Sequence, residues 1–480
     1  MIVGRPRLEP VDDAAPQARP AVSSASVWGP RFLAAVLAGV AACVAVGMGT
    51  ALSALTMAAL AMLLLGAGQP VVAALAMTCG AVLDGPAADT LQPTLAAFTG
   101  GLWRYNTIGY ALGLVALAGL PSVLARRDVH TRLALALGGV MAVGLLWSPD
   151  RAHGLQLLLD VVAYFGLLFV FARIADDREC WDWIGMVGGT LGAGAGLVYA
   201  INVGHMRYTN PNVAVFVPLT GMMAVCLAFG GGTRRPARQA QLGLLAVVNL
   251  LWAFLSTSRG GLLTGVACLA FIAFQLRGGR QRLLVLGSTV AVGLLLTSMF
   301  APLQHTAIQR FSLLFDRNSG LEARTSGRSE LVVGSWEIFQ THPFGVGTGG
   351  FETAWSTLGS VGGQRRFIRA GEKFAAHAGW MRVLAENGFV GFAVLAAFVA
   401  SFAVAGLGRR QPTARHLGLL AAVGLGLALV TSEFHLKGLF FVAAGVAALL
   451  DVLPRLRGRA APFRHRLRHS VHGDPRKDVR

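Results

Sequence analysis

The chain is poor in charge. Only 13% of its 480 residues are Asp, Glu, Lys or Arg, against about 25% in a soluble domain. That shortfall argues against a soluble globular protein with an ordinary surface. Lysine is nearly missing: Lys373, Lys437 and Lys477 are the only ones, so the formal charge of +18 is carried by arginine. No folded basic module accompanies the excess, so no nucleic-acid partner is expected. The five cysteines (Cys43, Cys79, Cys180, Cys226 and Cys268) are scattered. They show neither metal-ligand spacing nor a disulfide framework. No carboxylate cluster has ligand spacing either, so neither a metal nor a cofactor is expected. Residues 1–31 lack an early apolar core and read as a disordered cytoplasmic lead rather than a cleaved signal peptide.

Apolar sequence is abundant: 54% of residues are hydrophobic and the mean hydropathy is +0.60. Runs such as 33–48, 155–171 and 283–300 approach the ~20 residues that cross a bilayer. They are continuous rather than alternating, which argues against a transmembrane barrel. In hydrocarbon each must be a helix, because only a helix satisfies its own backbone there. The expected fold is therefore an all-α, polytopic integral membrane protein of 12–14 transmembrane helices. Fourteen candidate spans run at 32–48, 51–67, 70–84, 107–124, 132–148, 154–172, 183–203, 212–230, 241–256, 261–276, 282–300, 380–405, 416–431 and 437–453. The second and third are short, and as one re-entrant hairpin they reduce the count to twelve. The resulting organisation is a lead at 1–31, transmembrane helices at 32–300 and one large periplasmic loop with short helices at 301–378. Further transmembrane helices at 379–453 and a basic cytoplasmic tail at 454–480 complete it.

Orientation follows from arginine in the short loops. Arg5, Arg7, Arg19 and Arg31 precede the first span. Arg126, Arg127 and Arg132, then Arg234, Arg235 and Arg238, then Arg277, Arg280 and Arg282, then Arg409, Arg410 and Arg415 lie in later loops. Counting spans puts all of them and both termini on one side, expected to be the cytoplasm. The tail arginines Arg455, Arg457, Arg459, Arg464, Arg466 and Arg468 then meet anionic membrane lipids. The opposite side carries 204–212, the turn 256–260 and the large loop, whose length marks it as functional.

Charges on that opposite side have no topological reason. Arg207, Arg259 and Arg328 are three of them. Arg259 sits in a turn between two apolar helices, where it serves either as a snorkelling headgroup contact or as a bidentate anion ligand. In the large loop, Thr325 or Ser326 caps an expected helix. Its Val332, Trp336 and Phe339 recur at i, i+4 and i+7 as an apolar stripe, and Arg328 lies in its first turn. The following run, His342-Pro343-Phe344-Gly345-Val346-Gly347-Thr348-Gly349-Gly350-Phe351, is of a kind that cradles phosphate with backbone N–H groups. It is no nucleotide P-loop, since no Gly-Lys-Ser/Thr follows. His377 opens the next span at headgroup level, as an interfacial polar cap or a general base. Asp160, inside the sixth span, is a site residue or half of a structural ion pair.

These stretches together resemble the O-antigen ligase and polymerase superfamily of bacterial surface-polysaccharide enzymes. The likeness covers roughly 207–392. It rests on Asn210-Pro211-Asn212, the Ser258-Arg259-Gly260 turn, the Arg328-to-Trp336 helix, the His342-Pro343 glycine run and a signature at His377, Gly388 and Gly391. Ala378 departs from the amide or hydroxyl residue that follows the histidine in that signature. The resemblance implies a membrane glycosyltransferase that moves a glycan from undecaprenyl diphosphate to an acceptor hydroxyl on the periplasmic face. It implies His377 as the catalytic base and Arg259 and Arg328 as diphosphate ligands, with Arg207 as a third. The acceptor is lipid A-core for a ligase, a growing glycan for a polymerase, or a protein Ser or Thr for an O-glycosylating relative. A transporter or flippase for anionic or lipid-linked solutes is the alternative, using the same arginines without chemistry.

Overall fold

The computed structural model describes residues 73–75, 78, 115–116, 121–174, 178–203, 217, 219–221, 223–224, 236–255, 259–275, 287, 328–365, 378–409, 412–431 and 439–451. Helix dominates. Helices α1 (Val129–Gly144), α2 (Arg151–Arg173), α3 (Arg178–Val203), α4 (Pro236–Leu255) and α5 (Arg259–Gln275) are followed, in the large loop, by α6 (Arg328–Thr341) and α7 (Phe351–Thr357). Then come α8 (Gly379–Leu407), α9 (Pro412–Thr431) and α10 (Leu439–Asp451). Each of α1–α5 and α8–α10 overlies an expected span. By length and apolarity α2 and α8 suffice to cross a membrane, and α1 and α10 are shorter apolar helices. The expected spans at 32–48 and 51–67 lie outside the described residues.

The large loop holds more than helices. Two-residue strands β1 (Ser360–Val361) and β2 (Gln364–Arg365) pair antiparallel, with Ser360 opposite Arg365 and Val361 opposite Gln364. Gly362 and Gly363 form the tip, both at positive φ. That is the tight two-residue turn whose twist matches its strands.

An aromatic column fills the core. Tyr164 of α2 packs edge-on to Phe398 of α8 at 5.7 Å and against Phe440 of α10 at 5.6 Å. Phe171 reaches Trp181 at 5.3 Å and Phe441 at 6.0 Å. Helices α8 and α9 approach backbone to backbone: a Cβ on Gly418 would strike the Phe402 carbonyl and Gly406. Small residues permit such contact where both helices are already apolar all round.

Contacts gather at two opposite ends of the bundle. At the first, Arg126 bonds both Asp128 (2.9 Å) and Asp451 (2.7 Å). At the start of α4, Arg238 meets Glu179 at the start of α3 (2.7 Å). His130 of α1 stacks on Phe402 and contacts Ser401 near the far end of α8. At the second end, the α1–α2 turn, the large loop and the start of α8 pack together. Short connections settle where the others begin: three residues separate the end of α4 from the start of α5, which therefore opens at the second end.

Asp128 organises the first end. Its side chain accepts from the Thr131 backbone N–H at 2.9 Å and so caps α1. Burial alone raises this carboxyl. The Thr131 N–H and the Arg126 guanidinium outweigh burial and hold it below its ordinary 3.8. A carboxylate with a depressed value stabilises the fold above the unfolded value and loses that contribution as pH falls through the lowered one. Asp128→Ala is therefore expected to cost ~1 kcal/mol of stability at neutral pH. The difference from wild type should shrink in thermal melts of detergent-solubilised protein taken below the ordinary carboxylate range.

Candidate functional site

The second end is built around a broken helix. Within α8, Gly388 has φ 64° and ψ −162°, which is not helical. An uninterrupted helix would bond the Phe389 N–H to the Ala385 carbonyl. Here the glycine run supplies the partners. Phe389 N–H donates to Pro343 O (3.2 Å), while Val346 N–H donates to Ala385 O (3.0 Å) and Gly347 N–H to Glu386 O (2.9 Å). Only glycine fits at position 388, since a Cβ there would strike Pro343 O and Phe344. Gly347, at φ 95°, is pressed against Ser148 and the Gly144 carbonyl.

The run thus corrects one expectation from sequence. It does not offer the N–H groups of Gly345, Val346, Gly347 and Gly350 to phosphate, because all four bond protein carbonyls. It is a clasp between the α1–α2 turn and α8. Trp147 Nε1 donates to Gly345 O (3.1 Å), and Thr348 Oγ1 donates to Met141 O (2.8 Å) while accepting from Asn387 Nδ2 (2.7 Å). The second signature glycine, Gly391, leaves room for Asn387, whose Cβ a methyl there would strike.

A charged network lies beside the clasp. Glu386 is 2% exposed, and its Oε1 accepts from Arg382 Nε at 3.0 Å. The same oxygen accepts from the Phe351 N–H at 3.3 Å. The α7 N-cap, Gly350, has no side chain to do so, and a carboxylate suits a helix N-terminus. Arg382 also donates to His153 Nε2, the imidazole that opens α2. Glu352 Oε1 lies 3.8 Å from that nitrogen, and both side chains are about 30% exposed. Because guanidinium only donates, Nε2 is the acceptor in this contact.

Of the expected site residues, Arg259 is the first residue of α5 and Arg328, half-buried, the first of α6. His377 and Arg207 lie outside the described residues. Ala378, which follows His377, is the buried N-cap of α8. The starts of α5 and α8 therefore share the second end, with α6 packed on α8 there. Asp160 is buried within α2. The apolar stripe expected on α6 faces outward: Val332 and Trp336 are exposed, whereas Leu331, Gly334, Ser335 and Ile338 are buried. Gly334 packs on the Trp355 ring, which leaves no space for a side chain. Sequence reasoning missed Arg382, Glu386, His153 and Glu352 as a group. The available signal was a charged pair at i, i+4 inside an apolar helix.

Two substitutions test this construction. Glu386→Ala removes the carboxylate from the largely enclosed Arg382 guanidinium and from the Phe351 N–H, and should cost up to ~3–5 kcal/mol. Glu386→Gln keeps an acceptor for Phe351 N–H and should cost less. Gly388→Ala should cost at least ~1–3 kcal/mol from backbone strain alone, whereas Gly139→Ala, where a Cβ meets nothing within 4 Å, should be neutral. Melting temperature in detergent and protease sensitivity of the 342–350 run measure both.

Among known proteins, the family model described as O-Antigen ligase matches residues 244–396. That segment runs from the middle of α4 through the large loop to the part of α8 just past the kink. No curated protein matches the chain. The kinked α8, its glycine clasp and the arginine-led helices α5 and α6 all fall inside the matched segment, and over that segment the chain is similar to the O-antigen ligase family of membrane proteins.

Proposed function

We propose that this protein transfers a glycan from undecaprenyl diphosphate to an acceptor hydroxyl at the periplasmic face of the bacterial inner membrane. The observation that carries the reading is the meeting, at one end of the bundle, of the large loop, the start of α5 and the start of α8. The loop carries Arg328 and α5 opens with Arg259; His377, which precedes Ala378 in the sequence, is the third group this reading assigns to that end.

In this reading the arginines bind the diphosphate. Guanidinium stays charged at any physiological pH and forks onto phosphate oxygens. As the bond between sugar C1 and the diphosphate oxygen breaks, its electron pair passes to the diphosphate, whose growing charge Arg259 and Arg328 stabilise, with Arg207 as a third ligand. The acceptor oxygen forms the new bond to C1 from the opposite face, so the configuration inverts, and His377 takes the hydroxyl proton. The sugar–diphosphate bond supplies the driving force. The neighbouring network suits the acceptor rather than the donor. Arg382 and Glu386 cancel, and Glu352 adds one negative charge that accepts from sugar hydroxyls and repels phosphate.

The test is transfer by purified protein in nanodiscs with an undecaprenyl-diphosphate oligosaccharide, without ATP and with EDTA. Glycan on lipid A-core indicates a ligase, and lengthened donor indicates a polymerase. His377→Ala should slow either by ~10²–10⁴-fold. Arg259→Lys should not restore what Arg259→Ala loses, because ammonium cannot make the bidentate contact. Donor binding with no transfer to any acceptor would replace this reading with a transporter.

A further inference from the structure

Helix α6 carries its apolar side chains on the wrong face for a water-soluble loop. Val332, Val333 and Trp336 point outward, Trp336 at 48% exposure, with its ring 5.3 Å from Phe339. The opposite face packs on the Phe351 and Trp355 cluster through Leu331 and Ile338. On the polar flank, Glu337 accepts the backbone N–H of Gly362 in the ribbon. The helix is therefore held from one side and leaves an apolar surface on the other. Just beyond it, Phe344 is 77% exposed.

The kink fixes the depth of this surface. Past Gly388, α8 continues over 389–407, about 28 Å at 1.5 Å per residue, which matches the ~30 Å hydrocarbon thickness. Its first residues, Phe389 (66% exposed) and Val390, face outward, as do Val404 and Leu407 at the other end. Charge on the helix lies on the other side of the kink, at Arg382 and Glu386. The kink thus marks the hydrocarbon boundary. The loop after α6 is bonded to α8 at that level through Pro343 O and Phe389 N–H. Trp147 is held there too, with its indole N–H on Gly345 O and its ring half exposed. Amphipathic rings held at one level form the belt typical of a membrane–water interface.

We propose that the outward face of α6, with Phe344, is a lipid-binding surface. It lies in the headgroup layer and continues the lipid-facing surface of α8. The occupant is the phospholipid bilayer, because the patch is apolar, borders the exposed side of a membrane-crossing helix and sits at that helix's boundary level. Burying apolar area in the interface contributes in proportion to that area, and the clasp transmits that anchoring to the kink. The proposal rests on the membrane placement of α8 and not on the transfer reaction.

The test uses the full chain with its five native cysteines replaced by alanine, accepted once its size-exclusion profile in detergent matches the unaltered protein. Single cysteines replace Trp336, Phe344 or, as a polar exposed control in α7, Thr357. Each is labelled with a nitrobenzoxadiazole and placed in nanodiscs of phosphatidylethanolamine and phosphatidylglycerol, with or without lipid spin-labelled near the headgroup. Labels at 336 and 344 should be quenched several-fold more by the spin-labelled lipid than the label at 357, and several-fold less by iodide. Iodide quenching at 336 and 344 equal to that at 357, without lipid quenching, would overturn the proposal. Protection from both quenchers would also overturn it, in favour of a protein occupant such as a second copy. If Trp336→Cys fails the size-exclusion criterion, Val333→Cys takes its place.

Discussion

The second end of the bundle depends on an exchange of backbone hydrogen bonds. Gly388 breaks α8 and deprives Phe389 N–H of its ordinary acceptor and Ala385 O and Glu386 O of their ordinary donors. At the membrane boundary, unsatisfied backbone is costly. The glycine run supplies one acceptor and two donors, at 2.9–3.2 Å. Neither partner is satisfied in this geometry without the other. The large loop is thereby tied to a membrane helix by its main chain, and side-chain chemistry on both is brought to one place.

The Glu386 carboxylate extends that constraint into electrostatics. It lies two residues before the break, accepts from both Arg382 and the first N–H of α7, and so fixes the direction of a guanidinium and of a helix at once. Arg382 in turn reaches the imidazole of His153, 229 residues away in sequence. A buried ion pair contributes little net stability compared with an apolar pair, but breaking it is severe. Its value here is registry: α2, α7 and α8 are held at one relative height.

Most of the fold was legible because apolar runs of bilayer length have few alternatives to helix. Runs expected at 154–172 and 380–405 became α2 at Arg151–Arg173 and α8 at Gly379–Leu407. The loop was less legible. In α6 two apolar stripes compete, and the better-looking one, Val332–Trp336–Phe339, faces out. The buried face includes Gly334, small because the Trp355 ring lies against it, and Ser335, and small residues give no hydrophobic signal. The glycine run was readable as a place where backbone must approach closely, but sequence alone does not say whether a phosphate or another strand of main chain approaches. The same limit applied to His153 and Glu352, ordinary residues until α2 and α7 are seen side by side.

The distribution of charge at this end supports a division of labour between donor and acceptor. Residues that would meet a diphosphate stand at helix starts, at Arg259 and Arg328, where backbone N–H groups add partial positive charge. Residues beside the kink sum to a slight negative charge, which disfavours a second phosphate group. A donor lipid diphosphate is fixed in height by its own tail in the bilayer, so its binding groups must be fixed in height as well. The exchange of backbone bonds at Gly388 meets that requirement for α6. The loop leaving α6 is bonded to α8 at the kink, which in the proposed placement is the level at which a lipid diphosphate meets water. A loop tethered only by side chains would vary in height, and arginine contacts of about 3 Å tolerate little such variation.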